Sequence, residues 1–161
     1  MTTFVISNEL NTPARTIDTL RQPRLWVPTA ADYPSHDQWL EKTEADLISG
    51  RKQAMTVQHD EADIGVVVYQ RHPEASAVCE IKNISIMPQS RGRHIGSFTL
   101  RTAEVQAIND FPGIETLEID TKLTNKDMIT FLQLQGYVIT KVADVYDSGM
   151  LDVVLTKPAA I

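Results

Sequence analysis

Arg91-Gly92-Arg93-His94-Ile95-Gly96 places two permanent cations and two glycines where the chain changes character. Before it, Val78 to Ile86 is rich in β-branched residues and reads as a strand; Met87-Pro88 breaks that pattern; after it, Ser97 to Asn109 has helical spacing. A strand that feeds a glycine- and arginine-bearing loop, which in turn opens a helix, is suited to binding phosphate. The first N–H groups of a helix lack intrahelical partners and bond anionic oxygens. Arg91 and Arg93 add formal charge at the same place. The same residues would also suit a solvated basic turn that merely starts a helix, so the elements around them must decide.

Other reactive side chains are sparser. Cys79 has no Cys-His-Asp arrangement around it, and a lone strand cysteine is more often a small buried hydrophobe. His36, His59, His72 and His94 lack metal-ligand spacing, so no metal is expected. Period-two alternation places Glu80, Lys82, Ile84 and Ile86 on one strand face, provided no bulge intervenes. Asp144, Tyr146 and Asp147 suit either the edge of an acceptor pocket or a solvated turn, with the turn favoured, and Tyr137 reads as core.

The elements that must position these groups follow in order. Thr3–Ser7 is a short strand. Thr12-Pro13 starts a short helix that ends before Pro23. Arg24–Tyr33 is irregular and carries Trp26. Ser35–Ser49 is a firm helix, with Ser35 and Gln38 as a capping box and Trp39, Leu40, Thr43, Leu47 and Ile48 on one face. Lys52–His59, Ile64–Arg71 and Ala77–Ile86 form a meander, turning at Asp60–Asp63 and at His72-Pro73-Glu74. The helix Ser97–Asn109 is expected to bury Phe98, Leu100, Ala103, Val105 and Ile108. Glu115–Thr121 follows it as a strand parallel to the one before, in a right-handed crossover. A helix capped by Thr124 or Asn125 offers Met128, Phe131, Leu132 and Leu134 for burial. Val138–Tyr146 and Met150–Thr156 pair through Asp147-Ser148-Gly149.

At 161 residues, 42% hydrophobic and 22% charged, the chain fits one α/β domain (an α+β mixed sheet) with a real core. A net charge of −6 argues against a general nucleic-acid binder. No apolar run reaches the roughly 20 residues of a membrane span. The first residues lack the pattern of a signal peptide, and the single cysteine allows no intrachain disulfide. The expectation is a cytoplasmic protein with no membrane partner.

This order of elements resembles the GNAT superfamily of N-acetyltransferases. The most specific part is Ile86-x-Pro88-x-x-Arg91-Gly92-x-x-Ile95-Gly96, which is similar to the family's pyrophosphate loop with His94 in place of its middle glycine. Asn125-x-x-Met128-x-x-Phe131-Leu132-x-x-x-Gly136-Tyr137 resembles the helix that follows. The resemblance implies a single GNAT-like domain, with a mostly antiparallel sheet splayed at the cofactor site and flanked by helices. It implies acetyl-CoA as acyl donor and direct transfer to an amine. The implied cofactor contacts are Ile84, Ile86, Arg91, Gly92, Arg93, His94, Ile95, Gly96, Ser97 and Asn125, with the oxyanion's donor the backbone N–H of Ile86 or a neighbour. His94 is expected in a helix-opening conformation with its imidazole outward, serving phosphate through its backbone N–H. Asn125 suits both a cofactor contact and an N-cap. Glu80 occupies the place of the family's general base; the bland alternative is a surface carboxylate paired with Lys82. Leu132 stands where the family usually carries a tyrosine that protonates the CoA thiolate, and leucine has no proton to give; water, another residue, or unassisted departure of the thiolate all stay open. The acceptor implied is a small-molecule amine. A scaffold or sensor with little turnover and a protein lysine or N-terminal acetyltransferase stay open, as does a homodimer through the C-terminal strands.

Overall fold

A computed structural model describes residues 4–7, 11–22 and 35–160. The irregular Arg24–Tyr33 segment, with Trp26, lies outside the described residues. The elements are β1 (Phe4–Ser7), α1 (Pro13–Leu20), α2 (His36–Ile48), β2 (Lys52–His59), β3 (Ala62–Arg71), β4 (Val78–Ile86), a 3-10 turn (Pro88–Ser90), α3 (Ile95–Asp110), β5 (Thr116–Lys122), α4 (Lys126–Leu134), β6 (Val138–Ala143) and β7 (Asp152–Pro158). One seven-stranded sheet runs β1-β2-β3-β4-β5-β7-β6. Every neighbouring pair is antiparallel except β4–β5, the parallel pair joined through α3. Among the described residues, no helix is long and apolar enough to cross a membrane.

Helices cover both faces. Ile17, Leu20 and Leu40 of α1 and α2 pack on Ala54, Val66 and Val68. On the other face Leu100, Ala103 and Ala107 of α3 and Ile129 and Leu132 of α4 pack on Val67, Tyr69, Ile81, Leu117 and Leu155. β3 is therefore buried on both sides, which explains its almost unbroken apolar run. β6 is an edge strand with Val138, Ile139 and Val142 exposed.

Several local expectations are corrected. Thr12 caps α1 by accepting the Arg15 N–H at 3.2 Å, but Ser35 makes no side-chain capping bond to α2. The Ser35 backbone, at φ −98° and ψ 22°, is not in the extended conformation that aims an N-cap hydroxyl at the first turn. Ile48 is exposed. The β2–β3 turn shrinks to Asp60 and Glu61, both at positive φ, as a two-residue hairpin of the favoured twist requires. On α3 the buried stripe is Ile95, Thr99, Leu100, Ala103, Glu104 and Ala107, while Phe98 is 61% exposed and Val105 also faces outward. Glu104 enters the core because it accepts the Tyr137 hydroxyl at 2.8 Å and lies 3.1 Å from the Lys157 ammonium. Leu134 is 79% exposed, beyond the face of α4 that meets the sheet. β6 ends at Ala143, short of the expected Tyr146, and β7 is shifted two residues onward to Asp152–Pro158. Residues 144–151 form a loop gathered by Asp144, whose carboxylate accepts the Ser148 and Gly149 N–H groups at 2.8 and 2.7 Å.

The sheet is tight where β3 meets β4. A Cβ on Gly65 would stand 2.5 Å from the Ser85 carbonyl oxygen and 3.3 Å from Val57. Gly65→Ala is expected to cost about 1–3 kcal/mol, read as a lowered midpoint in urea unfolding; an unchanged midpoint would show that the two strands separate freely there.

Candidate functional site

The site begins where two strands part. β4 and β5 pair at Val78↔Thr116, Cys79↔Leu117 and Glu80↔Glu118 and nowhere further along. Beyond Glu80 they diverge, and a cleft of about 890 Å³ opens between them. It is lined by Glu80 to Ser85 of β4, Ile119 to Lys122 of β5, Asn125 and Met128 at the start of α4, and Tyr146 to Ser148 of the β6–β7 loop. Trp39, Lys42, Lys52, Gln70 and His72 line its other end.

A bulge sets what faces the cleft. Ile81 pairs with Tyr69 and Asn83 with Val68, so Lys82 is an extra residue without an opposite number. The expected shared face of Glu80, Lys82, Ile84 and Ile86 is thereby broken. Ile84 stands opposite Val67 and belongs with the core under α3, whereas Glu80 stands opposite Gln70 on the face that α1 and α2 cover. Met87 N–H donates to the Ile64 carbonyl at 2.8 Å. By ladder alternation the N–H groups of Ile84 and Ile86 then point away from β3, into the gap that β5 has left.

The basic loop lies at the end of β4, outside the cleft lining. Arg91 donates through Nε to the Ile86 carbonyl at 2.9 Å, which ties the loop to the strand end. Gly92, Arg93 and His94 all have positive φ, at 88°, 52° and 61°. The expected helix-opening conformation of His94 is corrected: the residue is left-handed, a conformation that crowds a Cβ against the neighbouring carbonyl. Among the described residues the N–H groups of Gly92, Arg93, His94, Gly96 and Ser97 have no hydrogen-bond acceptor. Ile95 is buried and anchors the helix start, with its N–H bonded to the Gly92 carbonyl. The Ser97 hydroxyl accepts from Gln135 at 3.1 Å, which leaves its O–H hydrogen as well as its backbone N–H to donate. Asn125 caps α4, accepting the Met128 N–H at 3.4 Å, and it also donates to Thr121 at 3.2 Å from the cleft wall.

Glu80 sits at the apex of the splay. Gln70 donates to it at 2.5 Å, and the Lys82 ammonium and His72 Nε2 lie at 3.7 and 3.8 Å. His72 Nδ1 accepts the Glu74 N–H at 3.1 Å, so in the neutral ring the proton is on Nε2 and faces Glu80. Burial, and then the Glu80 charge, push the Glu118 carboxyl above its ordinary pKa. His72, Glu80 and Glu118 are the one set among the described residues whose ligating atoms lie within 4.8 Å of one another.

Three side chains were missed. Lys82 is turned inward by the bulge, Asp120 lies on β5, and Tyr146 hangs from the loop that read as a solvated turn. The Tyr146 hydroxyl donates to Asp120 at 2.8 Å and accepts from Lys82 at 2.9 Å. Burial opposes the charge on Lys82, but Asp120, Tyr146 and Glu80 outweigh it and hold the ammonium above its usual pKa. Burial and Asp120 likewise raise the Tyr146 phenol. Cys79 is fully buried, its thiol pushed up to about 12 by burial and then by Glu80, so it is no nucleophile at neutral pH. Leu132 is 0% exposed and Tyr137 is bonded to Glu104, so both belong to the core.

The family model described as acetyltransferase (GNAT) family matches residues 17–137. A comparison with curated protein sequences gives no match. Among solved structures, the ribosomal-protein-alanine N-acetyltransferase of Escherichia coli superposes with a TM-score of 0.74 at 16% identity, covering 99% of this chain and 96% of that one. A GNAT family acetyltransferase from Elizabethkingia anophelis with acetyl-CoA bound gives 0.64 at 18% identity, covering 98% and 97%. An aminoglycoside 6′-N-acetyltransferase complexed with coenzyme A gives 0.69 at 15% identity, covering 98% of each chain. These likenesses establish the fold.

His94→Gly is expected to raise stability by about 1 kcal/mol, by relieving the left-handed backbone. Chemical denaturation measures it, and a loss of stability would mean that the imidazole makes a compensating contact.

Proposed function

The chain belongs to the acetyltransferase (GNAT) family, and from that premise we propose that it transfers the acetyl group of acetyl-CoA directly to the primary amine of a small molecule. The observation that carries this reading is the parting of β4 from β5 directly after Glu80. It puts a carboxylate at the apex of a cleft that a thioester arm enters.

In this reading the acceptor-free N–H groups of Gly92, Arg93, His94, Gly96 and Ser97 hold the pyrophosphate, with the charges of Arg91 and Arg93 beside them. Asn125 lies along the arm. The N–H groups of Ile84 and Ile86 meet the carbonyl oxygens of the arm and of the acetyl group. Donors fixed in the strand cost little reorganisation as the tetrahedral oxyanion forms. The amine attacks only when neutral, and Glu80 takes its proton, directly or through water. Gln70 holds the carboxylate in place. We assign no metal to this site, because His72 presents a proton and not a lone pair to Glu80.

A thermal shift with acetyl-CoA tests the donor, and CoA release over a panel of amines tests the acceptor class. Tight binding without release for any acceptor would favour a sensor or scaffold, and label transfer to proteins alone would overturn the small-molecule acceptor. Glu80→Gln is expected to lower turnover about 10²-fold, most severely at low pH where the amine arrives protonated. Wild-type rates across pH in this folded variant would remove Glu80 from the mechanism.

A further inference from the structure

We propose that Tyr146 is the hydroxyl donor to the departing sulfur, and that Lys82 joins it to Glu80 in a proton relay across the cleft. The proposal rests on the reading of Glu80 as base but adds the other half of the proton traffic. Its geometry is an ion pair at the Glu80 end, which must close to hydrogen-bond distance for proton transfer, and hydrogen bonds from Lys82 onward. The Lys82 ammonium lies 3.7 Å from Glu80 and donates to the Tyr146 hydroxyl at 2.9 Å. That hydroxyl donates to Asp120 at 2.8 Å, and Lys82 is 3.5 Å from Asp120 as well. All four residues line the cleft where β4 and β5 have separated.

Each part has a structural origin. Lys82 is the extra residue of the β4 bulge, and bulges re-aim side chains. Tyr146 is carried by the loop that Asp144 gathers, and its ring is flanked by two ammonium groups, Lys82 at 5.4 Å and Lys122 at 5.6 Å from the centroid. Asp120 orients the hydroxyl in the resting enzyme. The groups facing the relay are thus Glu80, Asp120 and Lys122, with Glu118 beside Glu80.

The step balances. The amine nitrogen bonds to the thioester carbon, and its proton goes to Glu80. The C–S bond breaks and its electron pair goes to sulfur. The hydroxyl of Tyr146 turns from Asp120 to sulfur and gives it a proton, while Lys82 gives a proton to the phenolic oxygen, so no free phenolate persists. Lys82 then recovers the proton that Glu80 holds. The proton lost by the amine ends on the CoA thiol, and all three side chains return to their starting states.

Tyr146→Phe keeps the ring and removes the hydroxyl at a residue that is 47% exposed, so the fold is not at risk. Turnover is expected to fall at least about 10²-fold, with the KM for acetyl-CoA little changed. A second readout needs no acceptor: the thiol of bound CoA, titrated by its thiolate absorbance, should rise by about one pKa unit or more when the donor is lost. Lys82→Arg separates relay from charge, since arginine keeps the cation but does not release a proton in proteins. It should lose turnover while leaving the bound thiol as in the wild type, whereas Lys82→Met should disturb both. Wild-type turnover and an unmoved thiol in Tyr146→Phe would overturn the role of Tyr146, and wild-type turnover in Lys82→Arg would overturn the relay. A wild-type-like Glu80→Gln would remove the base and the relay's first link yet leave the thiol titration to decide Tyr146, and failure of the wild type to bind CoA would sink both readings.

Discussion

Hydrogen bonds withheld between β4 and β5 are the constraint on which the rest of the structure depends. A parallel pair that stops at Glu80↔Glu118 leaves backbone donors and acceptors on both strands facing an interior gap. Buried and unpaired, such groups would each cost on the order of 1–3 kcal/mol. The sheet tolerates the gap because β4, apart from the bulge at Lys82, remains laddered to β3 on its other side and β5 to β7 on its own. Each strand is thus held by one neighbour while its free rim is presented to the cleft. An extended, amide-bearing molecule satisfies such a rim much as an added strand would. The opening is therefore built into the fold and does not require a loop to move.

The walls of the cleft are kept in place by charge pairs away from its centre. Lys122 and Asp152, almost wholly buried, meet at 2.9 Å, and Lys122 also donates to Ser148 at 3.0 Å. Asp152 accepts the Val145 N–H at 3.2 Å. The end of β5, the start of β7 and the loop between β6 and β7 are thereby fastened to one another, and Tyr146 inherits its position from that knot. At the opposite end Lys52, also buried, is held by Asp46 at 3.3 Å and Thr43 at 3.0 Å. Removing one partner of a buried pair strands the other charge at a cost of several kcal/mol. These pairs act as fixtures, while the more accessible Glu80, Lys82 and Asp120 keep charges within reach of the cleft.

What the sequence made legible follows from the range of the interactions that specify it. The β4–α3–β5 crossover is written locally: a β-branched run, a proline break, glycines and arginines, then helical spacing. The capping of α1 by Thr12 and of α4 by Asn125 is equally local, and both side chains make the expected bonds. The bulge is not local. Nothing in Glu80-Ile81-Lys82-Asn83 distinguishes an extra residue from plain alternation, because the misfit arises against Val68 and Tyr69 on another strand. That single residue moved Glu80 and Ile84 to opposite faces. The left-handed His94 was hidden for a related reason, since its backbone is imposed by the helix start anchored at Ile95 and not by its own preference. Tyr146 was hidden because its position depends on Asp144, Lys122 and Asp152 together.

The same reasoning explains why no hydroxyl is found at position 132. Leu132 sits on the face of α4 that, with Ile129, closes the core over Leu117, Ile119 and Tyr137. A phenol placed there would either bury an unpartnered hydroxyl or force the helix off the sheet, unless the helix turned to carry it toward the cleft. The Asn125 cap and the Gly136 stop, at φ 92°, fix the ends of α4 and with them its rotation. Position 132 thus serves packing, and polar side chains that line the cleft stand on β4, on β5 and on the loop between β6 and β7. Residues 144–151 form a loop rather than a tight turn, which gives the Tyr146 side chain the reach to meet Lys82 of β4 across the gap.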